Sequence, residues 1–209
     1  MAEIRLGYFL EDVGQEAFLM ALVERIAEEV GLARDDLHHD PRSTVGGKGT
    51  AGSELRRFLR DVRRGFERPF DVLIVAIDGN CQSYVGKRKE LARVVEQTVY
   101  RASVVYAIPN PHIERWYLVD TEALRRVIGP ESHPEAPAYK CERQRYKRAL
   151  RDAFLQAGIV APLGGIEYGS DIAAALDLYT VGRADAGFKH FVDELRTAFN
   201  LFARMDSEF

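Results

Sequence analysis

Three observations predict an α/β fold with a mostly parallel sheet flanked by helices. Residues 71–78, D-V-L-I-V-A-I-D, form an apolar run without alternation, bounded by Pro69 and Gly79. Such a run suits a strand covered by helices on both faces, as in a parallel sheet. Strand-like and helix-like segments alternate through residues 1–110, the order that winds a layered α/β unit. The chain of 209 residues, 46 % hydrophobic and 29 % charged, has the proportions of a globular protein able to bury a core.

The elements follow in order. Ile4 to Leu10 predicts the first strand, ending at Glu11-Asp12. From Gln15 to Val30, apolar residues at Phe18, Leu22, Ile26 and Val30 keep one helix face apolar, and Gly31 supplies the stop. Asp36 to Asp40 predicts a short second strand, followed by the loop S-T-V-G-G-K-G-T-A-G. Ser53 is the N-cap candidate for a basic helix, E-L-R-R-F-L-R-D-V-R-R-G. The apolar run 71–78 is the third strand; Lys87 to Tyr100 predicts a helix and Ser103 to Ile108 the fourth strand. After Pro109 the pattern turns helical, at Ile113–Ile128, Cys141–Ala157, Ser170–Leu178 and Phe188–Phe202, with a loop over Pro130–Ala138. The expected organisation is one domain over 1–209: an α/β core over 1–110 and a helical extension, 111–209, packed on it.

Composition narrows function. A formal net charge of -3 argues against a globally basic nucleic-acid binder, so any such binding must use local basic faces. No apolar run approaches the ~18 residues of a membrane span, so no membrane partner is expected. The opening M-A-E-I-R-L-G-Y-F-L-E-D lacks the order of a signal peptide. The expectation is therefore a cytoplasmic protein whose two cysteines, Cys81 and Cys141, stay reduced, with Cys81 a buried thiol.

Ligands usually bind where the carboxyl ends of parallel strands share one edge. Three such ends carry polar groups: Glu11-Asp12, Asp78-Gly79-Asn80, and the loop Pro109 to Glu114. Oxygen donors there suit Mg²⁺ or Mn²⁺, although Asp and Asn also make turns and cap helices. In P-H-I-E-R-W, Pro111 can open a helix with His112, Glu114 and Arg115 in its first turn, where anions are attracted. The same segment reads equally well as Trp116 and Tyr117 anchoring the core, with Glu114 and Arg115 forming a structural pair. Arg143, Lys147 and Arg151 recur at spacing four, a basic stripe. Together with Arg56, Arg57, Arg60, Arg63 and Arg64 it could cradle a sugar–phosphate backbone or dock an acidic partner; it is also what a solvated helix face looks like. G-G-K-G-T lacks P-loop spacing, though Lys48 and its neighbouring amides could touch phosphate. No paired Cys or His spacing supports zinc.

A glutamate ending the first strand and an Asp-x-Asp-like end to the third resemble the Toprim fold of topoisomerases, primases and OLD-family nucleases. L-E-D-V-G-Q-E-A-F resembles the Glu-Gly-x-x-Glu opening of OLD-like and RloB-like Toprim proteins. A-I-D-G-N-C, P-N-P-H-I-E-R-W-Y-L-V-D and K-C-E-R-Q-R-Y-K resemble a related bacterial family linked to anti-phage defence and partner ATPases. The resemblance implies a Mg²⁺-dependent nuclease. Glu11, Asp78 and Glu114 would be catalytic, and Glu11, Asp78, Asn80 and Glu16 would hold metal. Lys48, His112, Arg115, Arg143, Lys147 and Arg151 would contact nucleic acid. Asp12, Gln15 and Asn80 depart from the Toprim pattern, which leaves the alternative of a catalytically degenerate subunit binding nucleic acid or the ATPase. DNA or RNA as substrate stays open, and a homo-oligomer is compatible with the sequence.

Overall fold

The computed structural model describes residues 3–44, 51–98, 102–142 and 144–206. Lys48 and Arg143 lie outside them. Four parallel strands, β1 (Ile4–Leu10), β2 (Leu37–Ser43), β3 (Val72–Ala76) and β4 (Ser103–Ala107), form one sheet in the order β2-β1-β3-β4. The helices are α1 (Glu16–Glu29), α2 (Ala51–Arg63), α3 (Tyr84–Gln97), α4 (Glu114–Val119), α5 (Thr121–Ile128), α6 (Arg145–Gln156), α7 (Gly169–Ala175), α8 (Leu178–Ala184) and α9 (Ala186–Asp206). The fold is α/β, as the sequence predicts, with a helical C-terminal region. Among the described residues no helix is long and apolar enough to cross a membrane.

Successive side chains of a strand point to opposite faces, and β3 shows why its sequence does not alternate. Val72, Ile74 and Ala76 enter one core with α1 and α4 to α9. Leu73 and Val75, with Ile77 just beyond, enter a second core built with α2 and α3. Every residue of β3 is therefore buried. In β1 the close approach of Phe70 requires glycine: a Cβ on Gly7 would lie 2.5 Å from the ring. Pro41 is tolerated because β2 is an edge strand. At the other edge, the Tyr106 N–H of β4 donates to a carboxylate oxygen of Glu194 on α9 (3.3 Å), which covers the strand.

Several expected boundaries move for local reasons. Strand β2 runs to Ser43 because its ladder with β1 continues to Leu10. Helix α2 is already formed at Ala51, so Ser53 lies inside it. Helix α3 starts at Tyr84 because the Ser83 hydroxyl accepts from Gly86 N–H (3.2 Å). The expected helix Ile113–Ile128 breaks in two at Asp120, whose buried carboxylate accepts from Ala123 N–H (3.0 Å) and Asp177 N–H (2.7 Å). Asp177 and Asp185 likewise restart α8 and α9, giving three C-terminal helices instead of two.

The cysteines overturn the expectation of reduced thiols. Cys81 and Cys141 form a disulfide with Cα atoms 5.6 Å apart, and Cys81 is exposed, not a buried thiol. The bond ties the loop after β3 to the segment that leads into α6.

Candidate acidic centre and adjoining basic cleft

The strand order places one crevice above all others. From β1 the chain crosses to β2 through α1 on one face, then returns past β1 to β3 through α2 on the other. The direction of winding reverses between β1 and β3, and ligands of open α/β sheets bind outside the carboxyl ends of the strands at such a switch point. Leu10 pairs with Ala76 at the end of this ladder, and Glu11 N–H adds one more bond, to Ala76 O (2.9 Å). Register therefore brings Glu11 to Asp78: its Oε2 accepts the Asp78 backbone N–H at 2.8 Å.

Asp78 is held on both oxygens. Gln15 Nε2, from the 3₁₀ turn Val13–Gln15 before α1, donates to Oδ1 (3.1 Å), and His112 Nδ1 lies 2.8 Å from Oδ2. The β3 loop then locks onto the β4 loop. Gly79 N–H donates to Pro109 O (2.7 Å), Asn80 N–H to Pro111 O (3.1 Å) and Cys81 N–H to Asn110 Oδ1 (3.0 Å). A Cβ on Gly79 would stand 3.2 Å from Pro109 O. Asn80 (φ 48°) and Cys81 (φ 73°) both adopt left-handed backbone, a conformation costly for side-chain-bearing residues and concentrated at functional sites.

Glu114, at the start of α4, is almost fully buried. Its Oε1 lies 3.5 Å from Lys147 Nζ on α6, and its Oε2 has no hydrogen-bond partner. Burial pushes its carboxyl above the ordinary glutamate range. Lys147 is the main influence pulling it back down, and the negative charge of Asp78 adds to the rise. Beyond it opens a cleft of about 430 Å³, lined by Lys147, Arg148 and Arg151 of α6, by the apolar Val13, Leu163 and Ile166, and by Asp12.

The remaining predicted residues have other surroundings. Asn80 is exposed and its amide donates to Asp78 O (3.2 Å), a bond within its own turn. Glu16 is half-buried in the first turn of α1. Arg115 binds Asp185 and Ala184 O (2.7 Å) and stacks on Tyr139 (5.0 Å), contacts that hold α4 to the start of α9. The basic residues of α2 and α6 do not form one cradle. Helix α2 packs on the sheet face opposite the core that α6 enters, so Arg56, Arg57, Arg60 and Arg63 belong to a different layer.

The donor set fits a hard cation. Among the described residues no three His, Cys, Asp or Glu side chains converge on one point. Glu11 and Asp78 are nevertheless joined at the switch point, through the Glu11 carboxylate and the Asp78 backbone N–H, and Mg²⁺ is commonly held by one or two carboxylates plus waters and substrate oxygens. Gln15 Oε1 and Glu114 Oε2 are buried without a partner within the protein, and such oxygens call for an ion, water or ligand. Sequence reasoning missed Gln15, whose amide in place of a carboxylate reads as a departure and not as the partner of Asp78.

The chain matches no curated protein and no solved structure. Residues 10–196 match the family model of a domain of unknown function, DUF4276, and the chain belongs to that family.

Proposed function

We propose that the protein is a divalent-metal-dependent phosphodiesterase acting on nucleic acid, a nuclease of Toprim type. The observation that carries this reading is the meeting of Glu11 and Asp78 at the β1/β3 switch point, beside a cleft with a basic wall. Glu11 and Asp78 would hold Mg²⁺ or Mn²⁺, which when bound polarises a phosphate and lowers the pKa of a water. Gln15 and His112 fix the Asp78 carboxylate from both sides. Burial raises the Glu114 pKa above the ordinary glutamate range, the direction that suits a proton donor. Lys147, beside it, holds the phosphate and neutralises charge that develops during transfer.

Asp78 already accepts two hydrogen bonds, and this favours a second reading: a non-catalytic subunit that binds nucleic acid or a partner ATPase. In either form the chain would act in the cytoplasm, as one half of an anti-phage pair with that ATPase, and the Cys81–Cys141 bond would then meet a reducing environment. Cleavage assays with Mg²⁺ and Mn²⁺ on DNA and RNA separate the two readings. The enzyme loses about 100-fold or more in rate in Glu11→Gln and Asp78→Asn. Cleavage unchanged in both variants, or absent from the wild type, removes the catalytic reading.

A further inference from the structure

We infer that the cleft beside Glu114 seats one nucleotide unit of a single-stranded nucleic acid, with phosphate on its basic wall and the base against its apolar wall. This deepens the proposed function and rests on it for the identity of the substrate. The volume, about 430 Å³, lies within the ~300–1,000 Å³ of small-ligand pockets. It suits a nucleotide unit and is too small for a helix.

The lining is mixed in chemistry. On α6, Lys147, Arg148 and Arg151 line the cleft, with Arg148 and Arg151 more than half exposed at their side chains. Their charges are partly offset: Arg148 pairs with Glu142 (2.7 Å), Arg151 lies 3.5 Å from Asp152 and Lys147 lies 3.5 Å from Glu114. A phosphate would replace the exposed partners of Arg148 and Arg151 at little cost, while Lys147 would stay shared with the buried Glu114. The same lining holds Val13 and Leu163, 68 % and 71 % exposed, with Ile166 and the acidic Asp12. Large apolar side chains sharing a cleft with a row of cations suit a ligand that is anionic at one end and flat and apolar at the other. Glu114, paired with Lys147 at 3.5 Å, is the buried acid of the lining.

Strand selectivity follows from the apolar wall. In a duplex the base faces are stacked on one another, so only sugar and phosphate could reach the cleft. An unpaired strand can turn a base onto Val13 and Leu163 while its phosphate meets α6. The wall is aliphatic, which makes it tolerant of base identity.

Fluorescence anisotropy in EDTA tests this without cleavage, using a labelled single-stranded oligonucleotide, the same sequence as a duplex, a mononucleotide and inorganic phosphate as competitors. The single strand is expected to bind about 10-fold or more tighter than the duplex. The mononucleotide should compete better than phosphate. With three cations in the wall, log K should fall with log salt at a slope of about -2. Leu163→Ser should weaken the single strand and leave the duplex unchanged, and Arg151→Glu should weaken both. Equal or tighter duplex binding, indifference to Leu163→Ser, or no binding of any probe overturns the inference. Because no metal is present, loss of cleavage with retained single-strand selectivity would remove the catalytic reading alone. Cleavage that depends on Asp78 but ignores Leu163 and Arg151 would remove the cleft alone.

Discussion

Breaking the Cys81–Cys141 bond should be among the most destabilising single changes to this protein. The two residues are 60 positions apart, and a cross-link that closes a loop of this length removes about 4 kcal/mol of denatured-state entropy. Small proteins unfold in urea with slopes of ~1–3 kcal/mol per molar, rising with size. The upper half of that range converts the loss into a midpoint about 1.3–2 M lower. Urea titration followed by tryptophan fluorescence is the assay, because Trp116 is fully buried in the larger core. The wild type with excess reductant, Cys81→Ser, Cys141→Ser and the double variant should share one lowered midpoint, and reductant should not move the three variants further. A wild-type midpoint indifferent to reductant, together with two titratable thiols in denatured, unreduced protein, would refute the pairing.

Other consequences follow from buried polar groups and tight contacts. Asp185→Ala should cost about 3–5 kcal/mol, since it strands the Arg115 guanidinium at a largely buried site; a loss below 1 kcal/mol in thermal unfolding would return Arg115 to the list of residues available to phosphate. Gly7→Ala should cost about 1–3 kcal/mol, because its Cβ would overlap the Phe70 ring, and Phe70→Leu in the same chain should recover part of it. Burial raises the Glu114 pKa in the folded state. The folded chain therefore binds this proton more tightly than the unfolded one, and stability falls as pH rises from the ordinary glutamate range through the raised value. Glu114→Gln should flatten that segment of the stability–pH curve, and an unchanged slope would contradict the assignment.

Much of the core architecture was legible because it rests on local pattern. The run 71–78 lacks alternation since both of its faces are covered, and the burial of every β3 residue is the same fact seen in three dimensions. The closeness of residues 11 and 78 was legible because parallel strands deliver their ends to one edge, although the contact is from the Glu11 carboxylate to the Asp78 backbone N–H. The break at Asp120 was hidden: apolar residues continue on both sides of it, and only the Asp177 N–H, 57 positions away, shows why the carboxylate turns inward. Gln15 was hidden for a related reason, since its role exists only through Asp78, 63 positions later. The disulfide needed proximity that no spacing announces. The separation of the α2 and α6 arginines needed the crossover order, because each helix alone reads as a basic stripe.

Titration with Mn²⁺ followed by electron paramagnetic resonance tests most directly whether residues 11 and 78 share a cation. One ion per wild-type chain is predicted, with affinity reduced about 10-fold or more in both Glu11→Gln and Asp78→Asn. A wild type that leaves all Mn²⁺ free in solution, or variants that bind it as tightly as the parent, would contradict a metal centre at the β1/β3 switch point.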